Sequence, residues 1–352
     1  MQGRYQEDTT EQESRTCRSK IVMLHYDESM KSVQTGITRR GSRCGSTDRS
    51  KKKRGTKESM ITDQFGKKWY KGNLHTHSTN SDGRLSPEEV IGLYREEGYD
   101  FLALTDHWFM GEERQEENFL LLSGAEYDVG NNVRDGIYHV VGIGMQKEPK
   151  LKKGPELQEK QAQLMIDRIH EAGGIAILAH PAWSMNRASE VRLLKDLDGC
   201  EIYNTTSGVP WNCRPYSGII LDELAAQGYV LPCMAADDAH QYTKSYLMVQ
   251  ADELSRDAIL EAIAQGRFYA SQGPRFWIEK KDNSLIVHST PVKEIVFFTD
   301  AVWSDDRATV GECVEEAVYE IQPHETFVRV ELKDAVGNRA WSNFYLTGKA
   351  VL

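Results

Sequence analysis

The 352-residue sequence has no C-x-x-C pair, no apolar run long enough to span a bilayer, and no apolar run near its N-terminus as long as an h-region. Each absence removes a class of protein. The six cysteines (Cys17, Cys44, Cys200, Cys213, Cys233 and Cys313) are scattered. They form neither a disulfide framework nor a zinc knuckle, and are expected to be the reduced thiols of a cytoplasmic protein. A transmembrane helix is not expected, and no h-region directs export. Beyond residue 60 negative charge outweighs positive. The first 60 residues carry about +6 of a net charge of -10, which leaves about -16 on the remainder. Stable nucleic-acid binding by generic surface charge is therefore not expected. What remains is the composition of a soluble globular chain, 39% hydrophobic and 27% charged, with length enough for a sizeable core.

The chain divides into three textures. Residues 1–66 are polar and include Lys51-Lys52-Lys53-Arg54. They offer too little apolar area to offset ordering entropy, so a disordered basic extension is expected there, either a solvated tail or a nucleic-acid arm. Residues 67–274 alternate short apolar runs with amphipathic segments. FLALTDH, IAILAHP and VLPCMAADDAH are apolar runs that stop at polar, ligand-rich ends, which suits parallel strands buried on both faces. Ser86-Pro87-Glu88-Glu89 opens a helix with a capping box and Gly98 closes it; a second helix is expected from about 155 to 172. Residues 275–352 read differently. VKEIVFFTD, TFVRVELKD and NFYLTG are strand-like, with Gly337-Asn338 as a turn, so a small antiparallel, sandwich-like β domain is expected.

Chemistry concentrates in the middle segment. In Asn73-Leu74-His75-Thr76-His77 the two histidines share one face of a strand, and Asp82 follows in a Gly-containing loop. Alone, an H-x-H pair is as often core or surface as ligand. Repetition changes the reading. Further apolar runs end at His107, at His180, and at Asp237-Asp238-Ala239-His240; in a parallel barrel all such ends open on one face. Glu126 in SGAE and His139 in YHVV add a carboxylate and an imidazole. This donor set suits Zn²⁺, Mn²⁺ or Fe²⁺, and the lack of thiolates argues against a closed structural zinc site.

In their order, NLHTHSTNSDG, ALTDHW, GAEYD, YHVVGIG, ILAHP and DDAH resemble the successive motifs of the PHP (polymerase and histidinol phosphatase) superfamily of metal-dependent phosphoesterases. Within it they most resemble the branch of stand-alone PHP phosphoesterases and carbaryl-hydrolysing enzymes. The resemblance implies an α/β fold, a distorted (β/α)7 barrel with two or three divalent metal ions at its mouth. It also implies a ligand set: His75, His77, Glu126 and Asp238 around one ion, His139 and His180 sharing a second with Glu126, and Asp82, His107 and His240 around a third. The catalytic group would be a metal-bound water held by Glu126, Asp238 and His180.

Three such ions would bring about +6 against three carboxylates, a centre suited to a phosphoryl group. The expected function is hydrolysis of a phosphomonoester or of nucleotide or oligonucleotide ends, in 5'-3' exonuclease fashion, so the partner is a phosphorylated small molecule or nucleotide. Esterase or carbamate hydrolysis at the same centre is the alternative, and a metal-stabilised scaffold is a third. Glu201, Asn204, Arg187 and Arg214 are the candidate substrate contacts, as residues at or after strand ends. Asp106 is either an imidazole partner or a cap, and Asp237 either structural or a proton shuttle. Trp108 and Trp211 could wall the mouth for an aryl group or base.

Overall fold

The computed structural model describes residues 60–134, 136–152, 161–239, 243–303 and 306–347. The basic run at residues 51–54 and His240 therefore lie outside the described residues. In chain order the strands are β1 (Ile61–Thr62), β2 (Lys68–Asn73), β3 (Phe101–Ala103), β4 (Arg114–Glu116), β5 (Phe119–Leu122), β6 (Gly124–Val129), β7 (Tyr138–Ile143), β8 (Ile175–Leu178), β9 (Gly199–Asn204) and β10 (Cys233–Ala236). There follow β11 (Tyr246–Gln250), β12 (Phe268–Ser271), β13 (Phe276–Lys281), β14 (Ser284–Thr299), β15 (Ala308–Glu320), β16 (Phe327–Lys333), β17 (Arg339–Trp341) and β18 (Tyr345–Leu346). The helices are α1 (Pro87–Glu96), α2 (Gln161–Glu171), α3 (Pro181–Ser184), α4 (Ala188–Val191), α5 (Gly218–Ala226) and α6 (Arg256–Ala264). The fold is mixed α/β. None of the described helices is long and apolar enough to cross a membrane.

Local chemistry accounts for the helix borders. Glu89 Oε2 accepts from Ser86 N–H at 2.8 Å and from its hydroxyl at 2.7 Å, and Gly98 takes φ +73° just past the helix end. α1 buries Val90, Ile91 and Tyr94 against Leu102, Leu104 and Leu121. Each such aliphatic side chain contributes roughly 1.5–3 kcal/mol when fully buried.

The strands form two sheets. One has the order β10-β9-β8-β7-β6. The other runs β13-β14-β16-β17-β12-β11-β2-β3-β5-β4, with β1 on β2, β15 on β14 and β18 on β16. Two single parallel bridges, Thr76 with Ala239 and His107 with Glu126, join the rims of the two sheets where the ligand candidates lie.

Two expectations need correction. The parallel pattern fails at β7, which runs antiparallel to both β6 and β8. Only residues 130–137 link β6 to β7, with Gly130 and Gly136 both at positive φ. A parallel return needs a crossover of a dozen or more residues, so this link can close only a hairpin. The boundary expected at residue 66 falls too late, because β1 already occupies Ile61–Thr62. β1 pairs with β2 through a turn in which Asp63 accepts from the N–H groups of Phe65 and Lys67 and from Trp69 Nε1, each at 2.9 Å. β16 buries the charged residues Arg329 and Glu331.

The reason is tertiary. Arg329 forks onto Asp222 of α5, Nε to Oδ1 at 2.5 Å and a terminal nitrogen to Oδ2 at 2.7 Å, and also bonds Glu331, which accepts from Tyr216. The C-terminal strands thus share a sheet with β11 and β12 through β17, and an ionic cluster with α5.

Candidate metal centre

The ligand candidates sit where strand tails are held by backbone bonds. Beyond β2, Asp238 N–H donates to His75 O at 2.8 Å and His77 N–H to Ala239 O at 2.9 Å. Beyond β3, Glu126 N–H donates to Asp106 O at 3.3 Å and Trp108 N–H to Glu126 O at 2.9 Å. His139 lies at the start of β7 rather than at the end of a strand. Because β7 is reversed, its start is at the rim where the other strands end.

Glu126 is the centre of the arrangement. It is 1% exposed, and imidazole nitrogens from five histidines approach its two oxygens. Oε1 faces His139 Nδ1 at 2.8 Å and His180 Nε2 at 3.3 Å. Oε2 faces His75 Nε2 at 3.2 Å, His77 Nε2 at 3.3 Å and His107 Nε2 at 3.3 Å. The carboxylate therefore divides the histidines into two groups, one per oxygen. Asp238 Oδ1 lies 3.0 Å from His77 Nε2 and 3.5 Å from His75 Nε2, and its Oδ2 is 3.8 Å from His180 Nε2. On the open side Asp82 is 3.5 Å from His77 Nδ1 and 3.9 Å from His107 Nε2.

Ligand atoms of His75, His77, Glu126 and Asp238 all lie within 4.8 Å of one another, as do those of His77, Asp82 and His107, and those of His107, Glu126 and His139. Such a set of imidazoles and carboxylates is suited to divalent cations. A test of fit comes from His75. Its Nδ1 is engaged by Glu201, while its buried Nε2 makes no hydrogen bond and faces Glu126 and Asp238. A buried nitrogen left without a hydrogen bond is costly, and a cation between it and the carboxylates would satisfy it. The ligand-bearing backbone is also strained, with His180 at φ +30° and Asp238 at φ +50°, a region that side-chain-bearing residues seldom enter.

Electrostatics within the bare cluster are those of imidazolium and carboxylate. Burial disfavours the charged forms of His75 and His77. Contact with Glu126 and Asp238 outweighs it, holding His75 well above the usual histidine range and pushing His77 up to about 10. Burial likewise opposes ionisation of Glu126, but the charges of His75 and His139 pull its carboxyl well below the usual range.

Asp106 is a cap: it accepts from Ser78 N–H and hydroxyl, each at 2.7 Å, and from the Ser81 hydroxyl at 2.8 Å, fixing the loop that carries Asp82. Asp237 points away from the cluster. Asn73, Tyr94, Thr205 and the N–H groups of Lys244 and Ser245 donate to it, yet burial still pushes it up to about 6. Glu201 and Asn204 are buried beside the cluster and bonded to each other at 2.8 Å. Arg187 and Arg214 are exposed, and their guanidinium groups make no ion pair among the described residues. Trp108 donates to Asp128 at 2.6 Å, and Trp211 is 49% exposed.

Two residues at the site went unrecognised in the sequence. Trp183 packs edge-to-face on His180 and His139, with ring centroids 4.9 and 5.7 Å apart, and donates to Asn212 at 3.1 Å. Asp128 lies 3.3 Å from His107 Nδ1. Spacing carried both signals: Asp128 is two residues along β6 from Glu126, on the same face of the strand, and Trp183 is three residues beyond His180, one turn into α3.

The motif residues described by the structure thus converge on one buried carboxylate. No family model matches the chain. It is 34% identical over 114 residues, 29% of this chain, to a 5'-3' exoribonuclease of Haemophilus influenzae, and the match spans 41% of that protein. It is 25% identical over 146 residues, 38% of this chain and 81% of the other, to an uncharacterised protein of Methanocaldococcus jannaschii. Among solved structures, a two-domain protein from Bacteroides vulgatus containing a predicted PHP-like metal-dependent phosphoesterase covers 84% of this chain and 99% of its own. That alignment has 14% identity and a TM-score of 0.49.

Proposed function

We propose that the chain is a metal-dependent hydrolase of the PHP superfamily that cleaves phosphate esters, on phosphomonoesters or at nucleotide and oligonucleotide ends. The observation that carries this reading is Glu126, whose two oxygens face separate groups of imidazoles. A carboxylate so placed can bridge two cations. His75, His77 and Asp238 would complete one site, and His139 and His180 the other. Asp82, His107 and His240 would hold a third ion. The rim bridges support a distorted (β/α)7 barrel over residues 67–274, with residues 275–352 as an appended β domain. Similarity to an exoribonuclease over part of its length favours a nucleic-acid end as substrate.

Divalent cations bound there supply Lewis acidity for phosphoryl oxygens and acidify water. The protein's own residues do the rest. Glu126 and Asp238, both held ionised, would hold the cations, and five buried or half-buried imidazoles line that face. Trp183 closes the side beside His139 and His180. The exposed Arg187 and Arg214 are the candidate contacts for substrate phosphates. Glu201 and Asn204 are buried beside the cluster, away from solvent.

The test is chelation followed by reloading with Mn²⁺, Zn²⁺ or Fe²⁺, then assay on p-nitrophenyl phosphate, 5'-labelled oligoribonucleotides and aryl acetates. Activity on phosphate esters that needs metal and vanishes in His77→Ala is expected. A loaded protein inert on every phosphate ester but active on aryl esters would replace phosphoesterase with esterase. Undiminished activity in His77→Ala would remove the metal centre from the reaction.

A further inference from the structure

Beside the cluster lies a buried carboxylate that sends neither oxygen into it. Glu201 is 2% exposed, and three donors converge on it. His75 Nδ1 is 2.7 Å from Oε1, while His180 N–H and Asn204 Nδ2 each donate to Oε2 at 2.8 Å. Asn204 Nδ2 is also 3.3 Å from Asp238 Oδ2. Its amide orientation is set from the other side, because its Oδ1 accepts from Ser207 N–H at 2.9 Å.

A regular strand would not allow this. Residues 201 and 204 have opposite parity, so alternation would turn Asn204 away from the face that carries Glu201. The register between β9 and β10 shifts, however. Glu201 pairs with Met234 and Tyr203 with Ala235, so the pairing skips Ile202. The irregularity re-aims the strand end and brings both side chains to the cluster, as bulges beside functional sites commonly do.

We propose that Glu201 is a positioning residue that sets three metal ligands at once, with Asn204 as its arm to Asp238. This rests on the metal centre proposed above. A carboxylate only accepts, so it keeps the proton of His75 on Nδ1 and leaves the Nε2 lone pair facing Glu126 and Asp238. Through His180 N–H it pins a ligand whose backbone is in the left-handed region. Through Asn204 it restrains Asp238, the other ligand at positive φ. One side chain thus links ligands on both sides of Glu126.

Glu201→Gln keeps the shape but has one acceptor oxygen where three donors converge. An amide N–H facing His75 would also invert the imidazole tautomer and put a proton on Nε2. Metal affinity, measured by competition with a chelating indicator, is expected to fall 10- to 100-fold in Glu201→Gln. Asn204→Ala keeps the His75 bond and is expected to lose a smaller factor. In the Zn²⁺-loaded protein, the ¹⁵N–¹H signal of His75 Nδ1, assigned by its loss in His75→Ala, should disappear or move in Glu201→Gln. Wild-type affinity together with an unchanged His75 signal in Glu201→Gln would overturn the proposal, whatever the variant's melting temperature. Should that variant fail to fold, wild-type affinity in a folded Asn204→Ala would overturn the arm to Asp238. A wild-type protein that takes up no metal would overturn both this proposal and the centre it rests on.

Discussion

Metal loading should be strongly coupled to protons, and the coupling can be worked from the cluster. In the bare protein His77 titrates at about 10 and His75 well above the usual histidine range, because each faces Glu126 and Asp238. Both are therefore imidazolium at pH 7.5, whereas Glu126 and Asp238, both lowered, are already ionised. A cation binds the neutral imidazole, so loading must expel one proton from each of the two rings. Each proton changes apparent affinity tenfold per pH unit below the bare-protein pKa. Two give a hundredfold, about 2.7 kcal/mol per unit, with affinity rising from pH 6.5 toward pH 9. The bare protein has the opposite trend. A histidine whose pKa is raised on folding stabilises fully below its unfolded value of 6.5, and that stabilisation is lost as pH rises through about 10. Calorimetric Mn²⁺ titrations in two buffers of different ionisation enthalpy count the protons, and thermal melts in chelator follow stability. Release of fewer than one proton at pH 7.5, or bare-protein stability rising from pH 7 to 10, would refute the reasoning.

Four substitutions extend this. Glu126→Gln removes the charge facing five imidazoles, and should abolish stoichiometric metal in elemental analysis and lower kcat/KM by roughly a hundredfold or more. Arg329→Ala strands Asp222 and Glu331 and should cost about 3–5 kcal/mol in urea unfolding, with metal uptake unchanged because the cluster is elsewhere. Gly72→Ala would place a Cβ 2.1 Å from the Phe101 ring; circular-dichroism melts should show a loss of about 1–3 kcal/mol. Asp106→Ala removes three hydrogen bonds that hold the Ser78–Ser81 loop and should weaken metal uptake at Asp82 and His107 before the Glu126 sites, as read by stepwise loading.

The residue types at the site and much of the local structure were legible along the chain. Apolar runs that end in His, Asp or Glu marked β3, β8 and β10, the capping box marked α1, and the H-x-H pair marked the tail of β2. These are short-range signals, set by periodicity and by hydrogen bonds within a few residues of chain. The rest depends on partners far along the chain. The reversed β7 puts His139 at the rim from the opposite strand end, a consequence of how hairpin and sheet close. In β16, Arg329 and Glu331 look like solvent-facing charges until Asp222 and Tyr216, more than a hundred residues earlier, are packed against them. Glu201 reads locally as a polar strand-end residue, a candidate to touch substrate. Its place behind His75 depends on a register shift against β10 and on a histidine 126 positions away. A strand's own pattern fixes the alternation of its faces, but a bulge and its hydrogen-bond partners fix what those faces meet.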